Sequence, residues 1–161
     1  MWAHYADSHK GFVIGFDSNS SFFKPGNGKA IDGLRKVNYS PKREALPKGG
    51  LSFSDIEELK RANEYIFFTK SADWSYEEEL RILAHTKAAD LIPAKVGDYD
   101  ICLFKFPSDC VKEIFFGCRI PPNKRKEIAD LVNKKYPDAT LLQAEVSAIN
   151  FDVDIVPYLE I

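Results

Sequence analysis

Apolar residues recur along this chain with two periods, and the switches between them mark out its elements. In MWAHYADSHK, Trp2, Tyr5, Ala6 and His9 fall at helical spacing, and Gly11 follows where a left-handed residue would stop a short helix. GFVIGF, Gly11 to Phe16, reads as a strand closed by the polar turn from Asp17 to Ser20. RKVNY around 35–39 predicts a second strand, and the Pro/Lys/Gly-rich segment 41–50 an exposed loop. Ser54 and Glu57 make the S-x-x-E pattern of a capping box beside Ile56, Leu59, Ala62 and Ile66, which predicts a helix from 55 to about 66.

Segments 79–85, 101–106 and 111–116 are rich in strand formers and separated by turn residues that include Pro93, Gly97, Pro107 and Gly117. After Pro121-Pro122, Ile128, Leu131, Val132 and Tyr136 recur at threes and fours among charged residues, an amphipathic helix that Pro137 ends. Strands are expected at about 140–147 and 151–156, the latter placing Phe151, Val153 and Ile155 inward and Asp152 and Asp154 outward. The expected fold is α+β: a mostly antiparallel sheet of about six strands, two longer helices and a short N-terminal helix. No repeat or linker interrupts it, so residues 1–161 are expected to form a single domain.

Composition narrows the function classes. With 45% hydrophobic and 13% aromatic residues the chain has the material for a core, and its 22 basic and 24 acidic side chains nearly cancel. A formal charge of -2 offers no long-range field for nucleic acid, which is disfavoured as a partner. The basic residues Lys124, Arg125, Lys126, Lys134 and Lys135 are interspersed with Glu127 and Asp130, the pattern of a solvated helix face. No apolar run approaches the ~20 residues that span a bilayer, so no membrane is expected. Cys102, Cys110 and Cys118 form no CxxC pair, which points away from a disulfide framework and towards a reducing cytoplasm. His4 and His9, five apart, do not stack on one helix face, so no metal site is expected. Dinucleotide, P-loop, serine-hydrolase, zinc-protease and EF-hand patterns are all missing.

The stretch WSYEEELRI, 74–82, carries the candidate chemistry. If 77–85 is extended, Glu77, Glu79, Arg81, Leu83 and His85 share one face, with Glu77 and Glu79 roughly 6.5 Å apart at Cα. One cation beside them would hold both carboxylates ionised, a row suited to a polyhydroxyl or cationic ligand. The same row equally fits a solvated sheet face paired with lysines on a neighbouring strand. Trp74 and Tyr76 fit either a ligand site or a sheet end anchored in the core. Likewise Trp2, Tyr5 and His9 could pack on the sheet with His9 buried and hydrogen-bonded, or His9 could be catalytic.

Four ordered motifs resemble a bacterial family, domain of unknown function 2971. They are W-x-H-Y-A-x-x-H-x-G-F from Trp2 to Phe12, V-x-Y from Val37 to Tyr39, K-x-x-x-W-x-Y-E-x-E-x-R from Lys70 to Arg81, and P-x-x-x-V-K-E-I-x-x-G from Pro107 to Gly117. The family brings no established activity. Its members usually carry a further N-terminal stretch, so the chain reads as the C-terminal part of the pattern, and a site needing the remainder would be incomplete.

A second resemblance, at the level of fold, is to ADP-ribosyltransferases, in which a Glu-x-Glu pair precedes a hydrophobic strand and an early histidine and tyrosine bind NAD. It implies NAD as substrate, with Glu79 stabilising the oxocarbenium ion and Glu77 positioning or deprotonating the acceptor. Lys70 or Arg81 would hold the carboxylates or touch phosphate, and Trp74 or Tyr76 would stack on a ring. Trp2, His4, Tyr5 and His9 complete the implied substrate-binding set. Such a domain would suit a toxin or phage-defence setting, catalytic or inactive. The alternative is a non-catalytic module that docks a protein partner through the acidic segment.

Overall fold

The computed structural model describes residues 2–26, 33–43 and 55–159. In chain order the elements are α1 (Trp2–Tyr5), β1 (Phe12–Phe16), β2 (Arg35–Lys36), β3 (Asn38–Ser40), α2 (Ile56–Phe68), β4 (Thr69–Ser71), β5 (Leu80–Arg81), β6 (Lys95–Val96), β7 (Tyr99–Asp100), β8 (Val111–Phe116), α3 (Pro122–Lys135), β9 (Thr140–Val146) and β10 (Val153–Pro157). The fold is α+β, as the patterning predicts. Its strands, ten among the described residues, fall into one four-stranded sheet and three two-stranded ones. Two of the six pairings, β3 with β4 and β8 with β9, are parallel.

By its contacts the chain divides into two compact units, Met1–Phe22 with Leu103–Ile161, and Phe23–Cys102. The first is built on the sheet β1-β8-β9-β10. α3 carries the chain from the end of β8 to the start of its parallel neighbour β9, the crossover that parallel pairing demands. Cys110 just before β8, Val111, Ile114 and Phe116 of β8, Ile120, and Ala129 and Val132 of α3 form the buried cluster, with Ile14, Ile128, Leu141, Tyr136 and Tyr158 among the residues packed around it. Burying each large side chain of this set contributes about 1.5–3 kcal/mol. Pro122 opens α3 and lysines close it, in keeping with the free N–H groups at one end and free carbonyls at the other. Leu131, expected inward, is half exposed; Ala129 takes the buried position in its stead because it lies on the stripe of Ile128 and Val132.

Several expected elements differ. α1 stops at Tyr5, and the left-handed residues that follow it are Asp7, Ser8 and His9, not Gly11. Gly11 instead serves close approach: a Cβ there would lie 3.1 Å from the Ala6 carbonyl oxygen, to which Gly11 N–H donates. RKVNY divides into β2 and β3, and 101–106 forms no strand beyond an isolated bridge at Leu103. In the C-terminal hairpin Phe151 is fully exposed and Ile155 is 45% exposed, while Val156 is half-buried; β10 lies at the sheet edge. Of the expected 41–50 loop, 41–42 form a bend, 43 is irregular, and the rest lies outside the described residues.

α2 confirms the predicted helix and extends it to Phe68. Ser54 of the expected capping box lies outside the described residues; Asp55 is the N-cap, its carboxylate accepting from the N–H groups of Glu57 and Glu58 at 3.0 Å. Among the described residues no helix is long and apolar enough to cross a membrane.

Candidate functional site

The expected strand through 77–85 shrinks to β5, and this changes how its acids are presented. Directly after α2 the chain enters β4, whose Lys70 lies opposite Tyr39 of β3 in the parallel pair. Ser71 then caps a short 3₁₀ helix, Ala72–Glu77, by accepting from the Asp73 N–H. Glu78 takes the left-handed conformation, φ 46°, and reverses the chain. Glu77 therefore sits at the end of a helical turn and Glu79 at the start of an extended segment, so strand alternation does not relate them.

They are nevertheless brought to one cation. Lys70 Nζ pairs with Glu77 and lies 3.5 Å from Glu79 Oε2. Arg81 grips Glu79 in a two-pronged pair, Nε to Oε1 at 2.6 Å and Nη2 to Oε2 at 3.0 Å, while its Nη1 donates to the Phe67 carbonyl at 2.6 Å. The Glu79 backbone is fixed too: its N–H donates to the Tyr39 hydroxyl at 2.9 Å and its carbonyl accepts from Val37 N–H at 3.0 Å. Lys70 Nζ also stands 4.9 Å from the Trp74 ring centre. The Glu77 side chain is only 4% exposed, so its charge depends on this company.

The hydrogen bond from Arg81 is the main reason the Glu79 carboxyl sits below its ordinary pKa; burial opposes it, and the charges of Arg81 and Lys70 add to it. Reciprocally, the Arg81 pKa is raised, chiefly by the hydrogen bond to Glu79. A second ion pair, Arg35 with Glu64, braces β2 against α2, with Asn38 donating to the same carboxylate at 2.8 Å and the Arg35 guanidinium 3.9 Å from the Phe68 ring centre.

Beside this network lies a cleft of about 870 Å³, lined by Lys42, Arg43, Tyr65, Ile66, Lys70 and Trp74 together with Ser40, Pro41, Thr69 and Ser71. Its described lining contains three cations and no carboxylate. Of the residues singled out by sequence, Lys70 and Trp74 line it, and Glu77, Glu79 and Arg81 stand behind Lys70. Tyr76 is 56% exposed, its ring 6.1 Å from that of Trp74. Sequence reasoning missed Lys42, Arg43 and Tyr65 as lining, and Tyr39 as a clamp on Glu79; the V-x-Y motif was the available signal for Tyr39.

Trp2, His4, Tyr5 and His9 belong to the other unit. There the Trp2 and His9 rings stack 6.1 Å apart, whereas Tyr5 is 64% exposed, its ring 6.4 Å from that of His4. His9 is half-buried, and its buried Nδ1 has no partner among the described residues. The buried thiol is Cys110, its pKa raised by burial and by the nearby Asp109 charge, which keeps it protonated and inert. Among the described residues no cluster of three or more His, Cys, Asp or Glu side chains is placed to hold a metal.

An α+β chain with an ion-paired Glu-x-Glu segment is thus what the fold and site define. Residues 1–82 match the family described as "Protein of unknown function (DUF2971)", and the chain belongs to that family. No curated protein and no solved structure matches it.

Proposed function

We propose that the cleft beside Lys70 binds an anionic small molecule bearing a planar ring, of the nucleotide class to which NAD belongs. The observation that carries this reading is the lining itself: Lys42, Arg43 and Lys70 beside Trp74 and Tyr65, with no carboxylate among the described lining residues. Cations suit phosphate and aromatic faces suit a base. Glu77 and Glu79 act here as counter-ions that fix Lys70, so its ammonium is placed before the ligand arrives.

Transfer of ADP-ribose from NAD is the second reading, favoured by the rigid hold on Glu79. In that reaction the bond between nicotinamide nitrogen and ribose C1′ breaks, its electron pair leaving with nicotinamide. An acceptor oxygen or nitrogen forms the new bond to C1′ and gives up its proton. Glu79, kept ionised by Arg81, would stabilise the intervening positive charge, and Glu77 would take the proton after release from Lys70. The full engagement of both acids by Lys70 and Arg81 speaks for binding without transfer, the role an interaction module would also use.

Calorimetric titration of the full chain with NAD and ADP-ribose separates these readings. Binding of both is expected, weakened about tenfold by Lys42→Ala or Trp74→Leu, the scale of one charge-assisted hydrogen bond or ring contact. Free nicotinamide released by the wild-type chain and not by Glu79→Gln would establish cleavage at C1′, and label from the ADP-ribose half retained on an acceptor, not released as free ADP-ribose, would establish transfer over hydrolysis. Heats absent for both nucleotides leave the protein-docking module as the better account.

A further inference from the structure

In the four-stranded sheet, three connections meet at one end. Phe12 opens β1 opposite Phe116, which closes β8, and Val153 opens β10 opposite Val146, which closes β9. The turn after α1, the loop 117–121 and the hairpin 147–152 therefore all lie at the carboxyl end of the parallel pair β8/β9. A cavity of about 870 Å³ is found there, lined by Trp2, His9, Cys118, Arg119 and residues 146–153.

Its rim is built at a cost in backbone freedom. Asp7, Ser8 and His9 take φ of 47°, 51° and 68°, three successive left-handed residues of which none is glycine. Strain of this kind gathers at ligand clamps. The turn is pinned across the sheet end: Arg119 N–H donates to the His9 carbonyl at 2.9 Å and Gly117 N–H to the Gly11 carbonyl at 3.0 Å. Gly117 allows this approach, since a Cβ there would lie 2.2 Å from the His9 carbonyl oxygen. Below it the buried Gln143 side chain donates to the carbonyls of Phe116 and Gly117 and accepts from Arg125 at 2.9 Å, which fixes the loop that carries Arg119.

The lining has a definite chemistry. The Trp2 and His9 rings stack, their planes 11° apart, and make a flat aromatic wall. Ile149 and Phe151 offer apolar surface, 91% and fully exposed respectively. Arg119 makes no ion pair with a described residue and its side chain is exposed at the cavity; the other charged lining residue, Asp152, accepts from the Val153 N–H at 2.8 Å through Oδ1. His9 Nδ1 adds a buried polar group without a partner, which nearly all such groups possess.

We propose that this sheet end binds a small planar apolar acid, its ring against Trp2 and Phe151 and its carboxylate on Arg119. The site is independent of the nucleotide reading, since it draws on none of the residues that line the Lys70 cleft.

The test uses isotope-labelled full chain and two probes of one shape, 2-naphthoate and its neutral amide 2-naphthamide. Naphthoate is expected to shift the Trp2 indole N–H and the amides of 147–152, with Arg119→Gln weakening it about tenfold and leaving naphthamide unchanged. Phe151→Ser should weaken both probes, and Lys112→Gln, on exposed β8 surface, neither. Arg119 and Phe151 are exposed, so both variants should keep the wild-type spectrum elsewhere. Equal naphthoate affinity in wild type and Arg119→Gln, or shifts that miss Trp2 and 147–152, would overturn the proposal.

Discussion

The two units are held together by different physics. Of the twelve buried apolar residues among those described, nine belong to the unit built on β1, β8, β9 and β10, and only Val37, Ala62 and Phe68 to the other. The first relies on continuous strands and a helix stripe that together exclude water. The second relies on short two-stranded pieces clamped by charged groups: Lys70 with Glu77 and Glu79, Arg81 with Glu79, Arg35 with Glu64. Hydrophobic packing tolerates many sequences of similar volume, whereas a half-buried ion network depends on each member.

The largest effect should come from the packed unit. Phe116 is fully buried in β8 and meets Tyr158 edge to face, so Phe116→Ala should destabilise the chain by about 4 kcal/mol in urea unfolding. Phe68→Ala, equally buried but with the Arg35 guanidinium over its ring, should cost about 3 kcal/mol. A larger loss at Phe68 than at Phe116 would break the contrast, placing the deeper core in the charged unit.

The same contrast decides what was legible in the sequence. α2, α3, β1, β8 and β9 were readable because their apolar residues recur with the period of the element and one face is buried. The segment 77–85 misled because its alternation of charge and apolar side chains imitates a strand, while a left-handed Glu78 and a capping Ser71 leave two strand residues. No period announces such a reversal; it is fixed by local hydrogen bonds and by Lys70, seven residues upstream of Glu77. The grouping of Glu77, Glu79, Lys70 and Arg81 was legible as chemistry, since opposite charges at short spacing find each other. The cations Lys42 and Arg43 were hidden inside a segment that reads only as a loop.

Next in size is the network itself. Lys70→Ala removes the cation beside Glu77, whose side chain is 4% exposed, and should cost about 3 kcal/mol because a covered carboxylate loses a neutralising cation in contact with it. Lys60→Ala removes an ion pair to Glu57 in which both side chains are more than two-thirds exposed, and should cost less than about 0.5 kcal/mol. Urea midpoints for the two variants check the ratio. Similar losses would mean that burial gives the Lys70 cluster no special weight.

The smallest expected effect is the most specific, because it follows one proton. In the folded chain the Glu79 carboxyl titrates below its ordinary 4.5, with the Arg81 hydrogen bond as the leading cause. A lowered folded pKa means that the unfolded chain binds the proton more readily. The stabilisation is therefore complete above 4.5 and is lost as pH falls through the lower folded value. Glu79→Gln keeps the shape and some hydrogen bonding but not the charge, so it should cost about 1–2 kcal/mol near neutral pH. That gap between wild type and variant should stay level from about pH 8 to 6 and close as the solution is acidified below 4.5, since protonated glutamate and glutamine become alike. Urea unfolding at stepped pH reads it directly. A gap that widens on acidification would show that Arg81 is not holding an ionised carboxylate, and the Lys70 ammonium would then lose one of the two charges that fix it beside the cleft.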